Sequence, residues 1–138
     1  MGTWSGQPFG SDSAGDWAWD LDDAAGWGFV RDALTRVIGQ TEVDADDAVV
    51  AIAAAEVVAH GLGRPTQSDA YTESVGVFVQ RVGPPDAALV AIALEALAAS
   101  TSPESELSEL WADEDSAEWL DANEALKNAL DAGSPGLA

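Results

Sequence analysis

The sequence predicts an all-α fold, a single compact bundle of about six or seven helices behind an extended N-terminal segment rich in glycine and aromatic residues. Three observations predict it. The stretch AVVAIAAAEVVA, residues 48–59, is apolar on every side, the mark of a helix buried by its neighbours on all faces. Apolar residues elsewhere recur at three- and four-residue spacings, with short connections punctuated by Gly and Pro. The one segment with strand propensity, around Val75, Val77 and Val79, has no second strand to pair with.

Taken in order, Ser11 or Ser13 suits an N-cap, and Ala14, Trp17, Ala18, Leu21 and Ala25 follow at helical spacing, predicting a first helix over about Ser13 to Asp23. Gly26 and Gly28 interrupt the chain. A second amphipathic stripe, Trp27, Val30, Ala33, Leu34, Val37 and Ile38, is closed by Gly39. Asp44 caps the apolar helix, with Asp46 and Asp47 in a first turn where negative charge suits the dipole, and His60, Gly61 and Gly63 end it. Over Ser68 to Val82, Tyr71, Val75, Phe78, Val79 and Val82 are spaced for a fourth helix. Pro84 and Pro85 start a fifth at Asp86, with Leu89, Ile92, Ala93, Ala96 and Leu97 as its apolar face. Ser102-Pro103 reads as a cap and first-turn pair ahead of Leu107, Leu110 and Trp111, and a last helix presents Trp119, Leu126 and Leu130 before Gly133. One helical domain over 1–133 and a disordered tail over 134–138 are therefore expected.

With 138 residues and 47% hydrophobic content, the chain can bury roughly two-thirds of its unfolded surface without staples. It has no cysteine, which removes disulfides and thiolate chemistry and fits a reducing compartment. No Lys/Arg-led apolar run opens it and no apolar run could span a bilayer, so a cytoplasmic protein with no membrane partner is expected. Charge is the extreme feature: 25 acidic residues stand against Arg31, Arg36, Arg64, Arg81 and Lys127, for a net charge of −20. Such a surface repels phosphate backbones, excluding direct nucleic-acid binding, and attracts basic partners or cations.

Few motifs carry chemistry. Asp12, Asp16 and Asp20 recur at four-residue spacing and share one helical face, which offers oxygens to a hard cation but equally forms a solvated acidic face of diverging side chains. An EF-hand match at Asp113, Asp115 and Glu124 fails because Glu118 stands where the turn requires Gly. Neither a P-loop, a GxGxxG fingerprint nor a GxSxG elbow occurs. His60 is the single histidine and has no histidine companion for a metal, so helix capping is its expected role. Glu56, inside the apolar helix, must find donors or take up a proton, which makes it an anchor or a candidate acid or base. The amides of the N-terminal segment, the indoles of Trp4 or Trp17, and Arg31 or Arg36 are the donors the sequence offers it.

The opening MGTWSGQPF, the following SDSAGDWAWDLDD, the middle AAAEVVAHGLGRP and the late SELSELWADEDSAEWL together resemble the bacterial family catalogued as domain of unknown function 4259, over nearly the whole chain. That family typically has Gly after the first Trp and an Asp-Asn-Asp-like run after the Phe; Ser5 and Gly10 depart from this, while Asp12 remains in register. The resemblance implies one uncharacterised domain and brings no catalytic residues with it.

Two functional readings follow. The leading one is a non-enzymatic acidic binding module that docks a basic protein, with an inhibitor or immunity-like role suiting its size and charge, and with the Asp12 to Asp23 stripe and the Asp113 to Asp115 turn as its surface. The alternative is a small enzyme, or a ligand- or divalent-cation-binding protein, with a site beneath the N-terminal segment lined by Trp4, Phe9, Asp12, Asp16, Trp17 and Glu56. No cofactor, resident metal or catalytic residue is assigned, and the oligomeric state is left open. The alanine-rich centre lacks bulk that Trp4, Phe9 and Trp17 can supply, so the segment Met1 to Asp20 is expected to pack against the helix around Glu56.

Overall fold

A computed structural model describes residues 12–40, 43–68, 72–102, 105–112 and 117–133, and shows an all-helical fold. Among the described residues seven α-helices follow one another: α1 (Asp12–Asp20), α2 (Trp27–Thr35), α3 (Ala45–Gly61), α4 (Glu73–Val82), α5 (Ala87–Ser100), α6 (Glu106–Ala112) and α7 (Ala117–Gly133). A 3-10 turn, Leu21–Asp23, continues α1, so the first predicted helix has its expected end but tightens in its last turn.

The organising element is α3. From Ala48 to Ala59 every residue is buried except the half-buried Val50. Alanines make this possible, because a side chain of one carbon lets neighbouring helices approach closely from several sides. Helices α1, α2, α4, α5, α6 and α7 all pack on it, with α5 its most extensive partner. Both α3 and α5 are strongly apolar around their circumference, whereas α2 and α4 carry clear one-sided stripes that bury Val30, Ala33 and Leu34, and Val75 and Phe78.

Residues with strand propensity fold as a helix in α4, where Val75 and Phe78 turn inward and Val77 outward. That helix starts at Glu73, later than the sequence predicts; Tyr71 lies outside the described residues. The N-termini of α3 and α5 are capped by Asp44, which accepts from the amides of Asp46 and Asp47, and by Asp86, which accepts from the amide of Leu89. Pro84 and Pro85 precede this last cap, as the sequence predicts for a helix starting at Asp86.

At α6 the sequence placed the cap too early. Ser105 is the capping residue: its Oγ accepts from the Ser108 amide at 3.1 Å and donates to the Ser100 carbonyl at 2.8 Å. The Glu106 carboxylate accepts from the Ala45 amide, and the Glu106 amide donates to the Val43 carbonyl, so the starts of α6 and α3 are tied to each other. Pro103, the Asp113 to Asp115 turn and the tail 134–138 lie outside the described residues.

Candidate functional site

Glu56 occupies the centre of α3 with a fully buried side chain. Its carboxylate is enclosed by four contacts. The backbone amides of Thr66 and Gln67 donate to Oε2 at 2.8 and 2.9 Å, the Thr66 hydroxyl donates to Oε1 at 2.5 Å, and His60 Nε2 lies 3.1 Å from Oε2. The His60 Nε2 is also 2.9 Å from the Gln67 carbonyl oxygen, which can only accept, so this nitrogen carries the hydrogen.

Local sequence builds this arrangement. His60 follows Glu56 by four residues and therefore stands one turn above it on the same face of α3. Gly63 then takes φ +77, a left-handed conformation that suits glycine, and the chain reverses so that Arg64-Pro65 carries Thr66 and Gln67 back over the carboxylate. The carboxylate collects charge-assisted hydrogen bonds from successive amides, an arrangement that orders the loop as much as it solvates the charge.

None of the suggested donors that are described is among these partners; the N-terminal segment, with Trp4, lies outside the described residues. Neither Trp17, Arg31 nor Arg36 reaches Glu56; the partners come from the loop that immediately follows its own helix. His60, expected to cap α3, instead bridges the Glu56 carboxylate and the Gln67 carbonyl. The chemical consequence is plain. A carboxylate with no solvent exposure and partners on both oxygens is an anchor for the loop in this conformation, and a proton acceptor for a substrate only if the loop leaves.

Of the other candidate residues, the side chains of Asp16 and Trp17 are described. Asp16 is exposed on α1, and Trp17 is half-buried, stacked on Phe29 with ring centroids 5.3 Å apart and planes 11° from parallel. Trp4 and Phe9 lie outside the described residues, as does the side chain of Asp12. Among the described residues no three acidic or histidine side chains converge as metal ligands would, and no helix is long and apolar enough to cross a membrane.

Two features escaped sequence reasoning. Arg81, in the last turn of α4, donates to the carbonyls of Leu21, Asp22 and Ala24 at 2.9, 3.2 and 2.8 Å, so it caps the C-terminal end of the α1 segment. No local signal marks it, because its acceptors are backbone atoms some sixty positions earlier, as in the Leu21 contact at a separation of 60. Trp27 forms the wall of a cleft between α2 and α5, with its Nε1–H donating to the Gly83 carbonyl at 3.1 Å and its ring edge-on to Phe78. Its helical spacing gave it away only as a core residue.

No curated protein and no solved structure matches this chain. A family profile does: the one described as Domain of unknown function (DUF4259) matches residues 2–122. The match covers most of the chain, including α1 to α6 and the Glu56 loop anchor, and the chain belongs to the DUF4259 family.

Proposed function

We propose that the protein is a non-enzymatic acidic binding module of the cytoplasm that docks a basic protein, as an inhibitor or an immunity-like factor would. The observation that carries this reading is the distribution of its net charge of −20: of the carboxylates whose side chains are described, only Glu56 is buried, and that one is consumed in holding a loop. The remainder face solvent or lie near it, where they set up a long-range field that steers a cationic partner.

The first segment supplies the contact surface. Trp19 on α1 is 72% exposed, an unusual position for an indole, and Asp16, Asp20, Asp22 and Asp23 around it in sequence are all exposed. An indole beside carboxylates accepts an arginine or lysine twice over, by cation–π contact and by ion pairing, and tryptophan is enriched among residues that dominate binding energy. An enclosed Glu56 supports the binding module over an enzyme using that residue.

Affinity capture from the native host with the wild-type chain and with a variant neutralised at Asp16, Asp20 and Asp23 by asparagine tests the reading. A specific basic protein retained by the wild type, lost from the variant and released as salt rises is the expected result. Retention that is equal for both chains and indifferent to salt, or recovery of no partner, overturns it.

A further inference from the structure

The cleft between α2 and the start of α5 is walled by side chains held in place from behind. The Trp27 indole is fixed by its hydrogen bond to the Gly83 carbonyl and by its edge-on contact with Phe78 at 5.1 Å. Behind it, Gly61 leaves no room for movement: a Cβ there would lie 3.0 Å from two indole carbons and 2.6 Å from Pro85 Cδ. The Pro84 side is stiff as well, since Pro84 and Pro85 fix the backbone there. Between them lies an open cleft of about 220 Å3 lined by Trp27, Gly28, Arg31, Pro84, Asp86 and Leu89.

Two opposite charges line this cleft from its two walls. Arg31 projects from α2 and Asp86 from the entry to α5; both are exposed, and they do not form an ion pair with each other. One Asp86 oxygen, Oδ1, accepts from the Leu89 amide at 2.8 Å, and its other oxygen has no partner among the described residues. We propose that the cleft binds a small zwitterion with an apolar side chain, a free α-amino acid. Its carboxylate pairs with the Arg31 guanidinium, its ammonium with Asp86, and its side chain lies against Trp27 and Leu89.

Charge and size select this class. A net anion would have to approach a chain of net charge −20, and a simple cation would find exposed carboxylates over the whole surface with no reason to prefer this one. A zwitterion has no net charge to be repelled or dispersed, and it gains only where a guanidinium and a carboxylate stand on either side of an apolar wall. Pockets for drug-sized ligands measure roughly 300–1,000 Å3, so the cleft suits a smaller molecule. This inference does not depend on the docking role of α1.

The test is a nuclear magnetic resonance titration of the full chain with each standard L-amino acid, following the Trp27 indole N–H and the amides of Gly28 and Leu89. At least one amino acid with an apolar side chain should give saturable shifts confined to the cleft. Its N-acetyl and methyl ester derivatives, each lacking one charge, should bind about tenfold or more weakly, as should Arg31→Gln and Asp86→Ser, the latter keeping a residue that caps α5. Absence of a saturable shift from every amino acid overturns the proposal. So does binding that is undiminished in either derivative or either variant.

Discussion

At Glu56, removing the carboxylate exposes how much of the loop depends on it. Glu56→Ala leaves the amides of Thr66 and Gln67 and the Thr66 hydroxyl without their acceptor inside a buried site, and an unsatisfied buried donor costs about 1–3 kcal/mol. Thermal or denaturant unfolding should show a loss of about 3 kcal/mol or more, with the 62–68 amides losing protection in hydrogen exchange. An unchanged melting temperature would mean that the anchor is not structural. A second residue-scale test uses glycine in two settings. Gly61→Ala places a Cβ 2.6 Å from the Pro85 ring, which cannot fold away, so the substitution should destabilise by about 1–3 kcal/mol although alanine favours a helix. Gly76→Ala, with open space at the same position in α4, should instead stabilise by about 0.5–1 kcal/mol. The opposite signs, read from denaturant midpoints of the two variants, check the close approach of α3 to the Trp27 wall. Sequence reading identified Glu56 because a lone carboxylate inside an apolar helix is conspicuous. It missed Thr66 and Gln67 because only the turn at Gly63 brings them back over the carboxylate.

Among the helices, two local caps were legible, a third was placed three residues too early, and the cap from afar was not legible. Asp44 precedes an apolar run and caps it as the sequence indicates, and Asp86, where the sequence starts α5, caps that helix, since an N-cap acts on amides two or three positions on. Ser105 was passed over for Ser102 because both precede α6, and only the backbone path shows which hydroxyl reaches the Ser108 amide. The fourth helix was readable despite its valines, because the spacing of Val75, Phe78, Val79 and Val82 gives one continuous apolar side and no other segment offers a strand partner. Arg81 belongs to the illegible kind. Its guanidinium joins the end of α4 to the end of α1, and three carbonyl acceptors hold it there. Arg81→Lys keeps the charge but cannot span three carbonyls with a rigid fork, so it should lower stability by about 1 kcal/mol. Hydrogen exchange should then accelerate in α1 and the 3-10 turn before it does in α3 and α5. Equal protection in the two chains would show that α1 is held by its apolar contacts alone.

For the whole molecule, the governing quantity is self-repulsion. A net charge of −20 over 138 residues opposes the compact state, because folding brings carboxylates closer together than they lie in the extended chain. Opposing attraction is scarce: among the described residues the ion pairs are Lys127 with Asp131, which is exposed, and His60 with Glu56. Composition alone gave the sign of this effect, whereas the location of the acids on exposed helix faces needed the fold. Salt should therefore stabilise the protein. The screening length falls from about 30 Å at 0.01 M to about 8 Å at 0.15 M, which removes most repulsion between distant surface charges. The melting temperature should rise by about 2–8 °C across that interval, corresponding to about 1 kcal/mol for a domain of this size. Sodium chloride and choline chloride should act alike if screening is the cause, and a divalent chloride at equal ionic strength should add nothing beyond it unless carboxylates converge to bind the ion. The N-terminal expectation is tested on the same scale. If Trp4 and Phe9 supply bulk to the alanine-rich centre, deleting Met1 to Gly10 lowers the melting temperature at every salt concentration by a constant amount, because apolar burial is nearly indifferent to ionic strength in this range. A truncated chain that melts with the full-length one shows the segment to be free of the core, and places Trp4 and Phe9 with Trp19 as groups available to a partner.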